Sequence, residues 1–360
     1  MAIHDILHYK PTLYEVIARY QGLYAAQGPG HLCTFLSLPY TGEPLERKPL
    51  TEVDWTDWAS IDDYLDLTLR NAHRQWQDAV GIADDNIPCG ALFIGIGEYS
   101  AYVKGEVTFS EDTSWANPVI ERWEDLDQLT LSEDNRWYRI LAHTIEHLVA
   151  HCRPLGIPVV RGYYAPLDLA HGLRGPALFT DMMDSPQQVH RLMEFCTTAT
   201  IWVAERIQRI IGPSYGGQVA GAWLPPGTVC MSEDIACLVS PRTYATFARP
   251  YTQRVIDHFG HGQIHTHSLG HHVIPEISKL RNLMGIQVAQ DPNTARTFEQ
   301  LDTLLARCTS VPLTVNCTLQ DLRDHVADLS RRTNIILCPM LDDRSQAEEA
   351  LALVRGHSLI

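Results

Sequence analysis

The sequence has little positive charge and no long hydrophobic run. Of its 360 residues, 28 are Lys or Arg and 43 are Asp or Glu, so the net charge is −15 with neutral histidines. Proteins that bind the phosphate backbone of nucleic acids need a basic face, so this balance argues against a nucleic-acid partner. No stretch approaches the roughly 18 apolar residues of a membrane-spanning helix. Residues 1–5 do not begin a signal peptide, because no basic region precedes an apolar one. We therefore expect a cytoplasmic protein without a membrane partner.

Disulfide patterns and glycine-rich phosphate loops are also missing. The nine cysteines are odd in number and scattered along the chain, which is typical of reduced intracellular thiols. Gly95-Ile-Gly97 lacks the further glycine of a dinucleotide-binding fingerprint, so a nicotinamide cofactor is not supported. Apolar residues make up 45% of the chain and charged residues 20%. This composition excludes a disordered chain and provides for a large core.

Short apolar runs closed by Gly, Pro, Asn or Asp recur along the chain, and helical patterns follow most of them. This alternation predicts one α/β domain over residues 1–360, a (β/α)8 TIM-type barrel. Residues 1–85 include an N-terminal helical extension. Residues 97–135 form a long insertion after strand two, which is either a lid over the barrel mouth or a surface cap. The eight predicted strands are residues 32–38, 91–96, 158–163, 217–223, 263–267, 286–289, 313–316 and 334–337.

Histidines concentrate in one predicted strand region, since residues 258–272 contain six of the seventeen. If residues 263–267 form a strand, His265 and His267 face the same side and can converge on one metal ion. In barrels of this type the reactive groups lie at the carboxyl ends of the strands. The alternative is a structural role, in which the two imidazoles are hydrogen-bonded to carboxylates or to the backbone. His143, His147 and His151 also share one helical face, but on an outer helix, where we favour a structural role.

A metal site needs further ligands, and strand ends supply candidates. Cys338 ends the eighth predicted strand, and two imidazoles with one thiolate are a typical zinc set. Cys317, at another strand end, competes with Cys338 for this role. Glu233 and Asp234, in the loop after the predicted fourth strand, are candidates for the remaining position.

Five segments in order resemble the uroporphyrinogen decarboxylase superfamily, most closely its zinc-dependent methyltransferases that act with corrinoid proteins. The segment at residues 264–270, Ile-His-Thr-His-Ser-Leu-Gly, resembles the strand-five motif, which reads roughly His-x-Cys-Gly in that branch. The other four segments are residues 168–175 with 179–186, residues 232–241 with 247–250, residues 286–293 and residues 334–339. The resemblance implies a (β/α)8 barrel, zinc, a small-molecule substrate and a corrinoid carried by a partner protein. Members of the family often form homodimers.

The resemblance also implies site residues. His265 matches the histidine ligand of the family and Cys338 its C-terminal cysteine ligand, whereas His267 stands where the methyltransferases have a cysteine. Imidazole in place of thiolate removes one negative ligand charge, which raises the Lewis acidity of the metal. Such a site suits polarisation of an oxygen or activation of water as well as thiol methylation.

The leading hypothesis is zinc-assisted methyl transfer between a small substrate or thiol and a corrinoid protein. A metal-assisted decarboxylase, lyase or hydrolase is the first alternative, and a non-catalytic small-molecule-binding barrel with structural histidines is the second. Decarboxylation of a porphyrinogen is disfavoured, because that branch has an N-terminal arginine-rich motif and the first 45 residues here contain only Arg19. The catalytic candidates are Glu233, Asp234 and Tyr164. The candidates at the substrate site are Glu98, Tyr99, Tyr163, Trp223 (a platform or a core residue), and Asp291 and Asn293 as supports of the histidines.

Overall fold

The computed structural model describes residues 4–92 and 94–360. The α-helices within these ranges are α1 (Ile6–Tyr9), α2 (Leu13–Ala25), α3 (Trp58–Asp78), α4 (Glu98–Ala101), α5 (Arg136–Cys152), α6 (Pro166–Arg174), α7 (Ala177–Asp184), α8 (Pro186–Ile211), α9 (Pro241–Phe247), α10 (Arg249–Phe259), α11 (Ile274–Ile277), α12 (Leu301–Arg307), α13 (Leu319–Arg332) and α14 (Arg344–His357). The strands are β1 (Leu32–Thr34), β2 (Val107–Phe109), β3 (Ser114–Ala116), β4 (Tyr163–Tyr164), β5 (Gln218–Ala220), β6 (Ala222–Leu224), β7 (Thr228–Ser232), β8 (His261–His267), β9 (Leu283–Ala289), β10 (Leu313–Thr318) and β11 (Ile335–Met340).

Seven strands form one parallel sheet in the order β1-β11-β10-β9-β8-β7-β4. Strands that follow one another from β7 to β11 are neighbours, and helices connect them, as parallel pairing requires. The predicted α/β class is therefore confirmed. Because all strands run the same way, their carboxyl ends meet at one edge, and this edge carries the site described below.

The second predicted strand, residues 91–96, forms no strand among the described residues, and Phe93 lies outside them. Gly90 instead makes a single parallel bridge to Val159. Gly95 then adopts a φ of +85°, and a Cβ there would lie 2.0 Å from the backbone nitrogen of Ser114. Because glycine has no side chain, the backbone at Gly95 can come close to that of Ser114, and the chain turns toward β3 after the single bridge at Gly90. The third predicted strand is correspondingly short, since only β4 and the bridge at Val159 remain of residues 158–163.

The fourth predicted strand, residues 217–223, is wrong. The run reverses at Gly221, where φ is +73°, and forms an antiparallel hairpin of β5 and β6. The sheet strand in this region is β7, which begins after Gly227. Trp223 therefore does not end a sheet strand: its side chain is buried, and its indole N–H donates to the carbonyl of Tyr215 at 3.0 Å. Trp223 is therefore packed in the core.

The N-terminal extension and the insertion pack against each other. Trp55 of the extension stacks on Phe109 of β2, with ring centroids 4.8 Å apart. Tyr99, near the start of the insertion at residues 97–135, lines the cavity described below, whereas residues 100–135 contribute no side chain to its lining. The insertion thus borders the cavity at its first residues. In the described part of the chain, no helix combines the length and the hydrophobicity needed to cross a bilayer.

Candidate metal centre

The carboxyl end of β8 presents two imidazoles on one face. Exposure alternates along β8, so that His265 and His267 are half-buried while Thr266 between them is fully buried on the opposite face. His265 lies opposite Ser232 of β7 on one side and Gln287 of β9 on the other. The strand geometry predicted for the pair is therefore present.

Asp234 completes a triangle with the two histidines. The Nε2 atoms of His265 and His267 are 3.2 Å apart. Oδ1 of Asp234 lies 3.7 Å from the first and 3.6 Å from the second. Four ligands at the usual zinc distances around a tetrahedral ion are separated by about 3.4 Å. Among the described residues, these three make up the only group of three or more potential ligand side chains close enough to share an ion.

Hydrogen bonds fix the tautomers of both imidazoles. Nδ1 of His265 lies 3.0 Å from the amide oxygen of Gln287, and Nδ1 of His267 lies 2.9 Å from Oδ1 of Asp291. Because both partners are acceptors, each Nδ1 holds the proton and each Nε2 presents a lone pair. Oδ1 of Asp234 is buried and has no hydrogen-bond partner in the described part of the chain. With both imidazoles neutral, the two Nε2 lone pairs and Oδ1 of Asp234 face one another, and a divalent cation fits this set.

Asp291 orients His267 and is itself held in place. Its Oδ2 accepts hydrogen bonds from the Ser268 hydroxyl at 3.1 Å and from the Leu269 N–H at 3.0 Å. Although burial raises the pKa of Asp291, these bonds and His267 bring that pKa below its ordinary value. The carboxylate is therefore ionised and supports the Nδ1–H of the ligand. Asn293, in contrast, is exposed with a left-handed φ of 58°, and none of its described contacts is a hydrogen bond to either histidine.

The two adjacent acids after β7 point in different directions. Asp234 faces the histidines; burial raises its pKa, and the two histidines lower it. Glu233 is fully buried on the other side, where its Oε1 accepts from Tyr244 of α9 at 3.0 Å and from Thr252 of α10 at 2.6 Å. Burial raises the pKa of Glu233 to about 7. Glu233 therefore lies behind the sheet, away from the cavity.

Of the two thiol candidates, only Cys338 shares a face with the cavity. Ile336 and Thr314 line the cavity, and Cys338 is two residues beyond Ile336 on β11, opposite Asn316 of β10. Cys317 lies three residues after Thr314 on β10, so strand alternation turns it to the opposite face. Burial raises the pKa of Cys338 to about 12. Its sulfur does not belong to the Asp234–His265–His267 group, and its role as a ligand stays a prediction.

A cavity of about 330 Å³ extends from the metal-ligand group into the centre of the fold. Most of its lining side chains are apolar or aromatic, and Asp234 is the one acid among the described lining residues, which include no Lys or Arg. Ala220 and Ala222 of the hairpin line the cavity as well, on elements separate from the loop that carries Asp234. The lining includes Phe35, Ile96, Tyr99, Tyr164, Ala220, Ala222, Asp234 and His265.

The predicted substrate residues divide into two groups. Tyr99 and Tyr163 line the cavity together with the catalytic candidate Tyr164, and the rings of Tyr99 and Tyr164 lie 4.9 Å apart. Glu98 is buried behind Tyr99 and forms an ion pair with Arg161. Burial raises the pKa of Glu98, and Arg161 opposes this effect. Glu98 and Trp223 do not line the cavity.

Three contributors were missed in the sequence. Gln287 orients His265, Asp168 holds the loop that carries Asp234, and Arg161 pairs with Glu98. Strand alternation could have indicated Gln287. It lies two residues before Ala289, the residue paired with His267, and therefore faces the same side of β9. Asp168 begins one of the family-like segments. Arg161 lies in a run predicted only as a buried strand, and no neighbouring residue in the sequence indicates its ion pair with Glu98.

The fold and the site define a class: a parallel α/β protein with a candidate divalent-metal centre at the carboxyl ends of its strands. The profile of the family described as Uroporphyrinogen decarboxylase (URO-D) matches residues 103–305, and the chain belongs to this family. No curated protein sequence matches the chain. Among solved structures, the fold is similar to that of a methyltransferase from Methanosarcina mazei, with a TM-score of 0.60 and 10% sequence identity. The match covers 95% of this chain and 98% of that one.

Proposed function

We propose that this protein is a zinc-dependent methyltransferase, built on a closed (β/α)8 barrel, that moves a methyl group between a small molecule in the cavity and a corrinoid on a partner protein. The observation that carries the proposal is the convergence of three lone-pair donors, Asp234, His265 and His267, at one end of a largely apolar cavity. Membership of the family and the likeness of the fold to a methyltransferase support it.

The residues of the site have separate tasks in this proposal. Asp234, His265 and His267 hold the ion, and a bound zinc ion lowers the pKa of a thiol or polarises an ether or amine. Gln287 and Asp291 keep the two imidazoles in the ligand tautomer. The tyrosine-lined cavity keeps water away from the reacting heteroatom and orients the substrate toward the carboxyl edge.

The cavity does not suit a porphyrinogen. A substrate with many carboxylates needs cations around it, and the described cavity lining has no Lys or Arg. A volume of about 330 Å³ also lies near the lower end of the ~300–1,000 Å³ range of small-molecule pockets. A compact substrate is therefore favoured over a macrocycle.

A second candidate function is metal-assisted hydrolysis or a lyase reaction. The specific observation in its favour is the ligand set, because two histidines and one carboxylate also hold catalytic zinc in hydrolases. The two functions differ in their need for a corrinoid.

Metal analysis and a methyl-transfer assay test the proposal together. We expect about one equivalent of zinc in the wild-type protein and its loss in His265→Ala. His271→Ala, on the same segment but hydrogen-bonded to Thr297 instead, is the matched control and retains the metal. Cys338→Ser decides whether the thiol adds a ligand. Zinc-loaded protein should demethylate methylcobalamin in the presence of a thiol acceptor, seen as the change of its visible spectrum. Metal-free wild-type protein, or metal retained in His265→Ala, contradicts the proposal, and hydrolysis without corrinoid dependence favours the second candidate.

A further inference from the structure

We infer that the cavity binds an uncharged aromatic molecule, with one sulfur or oxygen directed at the metal-ligand group, and that it rejects molecules with an anionic tail. This inference rests on the proposed function and adds the class of substrate.

The charge of the lining carries the selectivity against anions. Asp234 is the acid at the carboxyl end, and no Lys or Arg is present among the described lining residues. A carboxylate or sulfonate placed in such a cavity loses its hydration and finds no counterion. The chain as a whole also has a charge of −15, which disfavours the approach of anions.

The nearest basic side chain in sequence is already paired. Arg161 lies between Val160 and Gly162, which line the cavity, but its guanidinium stacks on the ring of Tyr99 at 3.9 Å and forms an ion pair with Glu98. The side chains of Arg161 and Glu98 are 7% and 2% exposed. Because Tyr99 stands between this pair and the open space, the ligand meets an aromatic face and not a cation.

The aromatic lining sets the shape of the ligand. Tyr99 and Tyr164 lie 4.9 Å apart with ring planes tilted by 36°, and Phe35 adds a third ring to the lining. Aromatic side chains of this kind favour flat ligands through offset or edge contacts.

The charge of the ion site allows one anionic donor atom and no more. A divalent cation bound by one carboxylate and two neutral imidazoles retains one positive charge. A thiolate or alkoxide bound at this position neutralises that charge. A second negative group at the far end of the same molecule then lies among the lining residues, which include no Lys or Arg in the described part of the chain, and it finds no compensation.

Two matched pairs of ligands test this inference by isothermal titration calorimetry. The zinc-loaded protein is titrated with benzyl mercaptan and with 4-(mercaptomethyl)benzoate, and we expect the carboxylate to bind at least tenfold more weakly. The metal-stripped protein is titrated with anisole and 4-methoxybenzoate, which do not need the ion, and the same preference is expected. Equal or tighter binding of the carboxylates, or binding of none of the four ligands, overturns the inference. Loss of methyl transfer with the preference intact refutes only the proposed function.

A charge introduced into the lining gives the second arm. Ile96 is 47% exposed and lines the cavity, so Ile96→Lys adds a cation there with little risk to folding. We expect this variant to reduce the tenfold difference between neutral and anionic ligands to less than threefold. Leu238→Lys adds the same charge at a 61% exposed position outside the lining and should leave the difference unchanged. If both variants act equally, or if neither acts, the local charge of the cavity is not the cause and the inference is wrong.

Discussion

Asp168 accepts a hydrogen bond from the backbone N–H of Asp234 at 2.9 Å. The same carboxylate accepts from the N–H of Ile235 at 3.0 Å and from the hydroxyl of Ser232 at 2.9 Å. Asp168 lies in the first turn of α6, so it ties the loop after β7 to a neighbouring helix. Burial and the nearby Asp234 raise the pKa of Asp168. Asp168 is a positioning residue, since it reaches the candidate ion site only through Asp234.

Replacement of Asp168 by Asn should weaken metal binding without loss of the fold. The amide can accept fewer of the three hydrogen bonds, so the loop holds Asp234 less firmly, and we expect about a tenfold or greater loss of zinc affinity. Competition with a chromophoric chelator measures the affinity, and circular dichroism monitors the fold. Asp181→Asn, which removes the partner of Arg174 on α7, is the control. An affinity equal to that of the wild type would refute the positioning role.

The Asp291 carboxylate should matter more than its neighbour Asn293. In Asp291→Asn the amide can turn its N–H toward Nδ1 of His267 and favour the tautomer that cannot bind an ion through Nε2. A 10- to 100-fold loss of zinc affinity is expected. Asn293→Gly, two residues along the same loop, should change the affinity by less than about twofold, since Asn293 is exposed and glycine accommodates its left-handed φ. Competition with the same chelator measures the zinc affinity of both variants. Similar losses of affinity in both would indicate a general effect on the loop and contradict a specific role of Asp291.

The buried ion pair behind Tyr99 should be costly to break on one side. Glu98→Gln leaves the guanidinium of Arg161 buried without a counterion, and we expect the free energy of unfolding to fall by about 3–5 kcal/mol. Urea denaturation measures this change. Glu349→Gln breaks an exposed pair with Arg323 and should lower the free energy of unfolding far less than Glu98→Gln, because solvent screens an exposed pair. Glu98→Leu with Arg161→Met removes both charges and should recover most of the loss; a double variant no more stable than Glu98→Gln would argue against charge as the cause.

Acid should destabilise the protein through His73. This imidazole is buried between Tyr9, at 2.9 Å, and His151, at 2.8 Å. Burial, and secondarily His151, lower its pKa to about 4. An unfolded chain protonates the same histidine at its ordinary pKa of about 6.5. The stability that depends on neutral His73 is therefore complete above pH 6.5 and is lost as the pH falls toward 4, by about 2 kcal/mol.

Urea denaturation at pH 7 and at pH 4.5 measures this dependence. His73→Gln should show a smaller loss of stability over this interval than the wild type. His258→Gln, at a position 41% exposed, is the control and should keep the slope of the wild type. An unchanged slope in His73→Gln would assign the acid sensitivity to other groups.

Periodicity explains which parts of the site were predictable from sequence. Alternation along a strand requires His265 and His267 to share a face, so their pairing followed from the spacing alone. Glu233 and Asp234 could not be separated, because they are adjacent and the loop that follows β7 has no period to say which side each faces. The composition of the hairpin predicts a sheet strand, and only the positive φ of Gly221 shows the reversal. Gln287 and Asp168 were missed because each acts on a residue far away in sequence.

The hairpin of β5 and β6 contributes to the size of the cavity but not to its candidate ligands. Ala220 and Ala222 line the cavity, whereas the candidate ligands belong to β8 and to the loop after β7. Because neither alanine contributes to the parallel sheet, larger side chains at these two positions would reduce the volume of the cavity without disturbing the arrangement of imidazoles and carboxylate. The size of the accepted molecule and the reactive edge can therefore be changed independently, the first through two positions of one short turn.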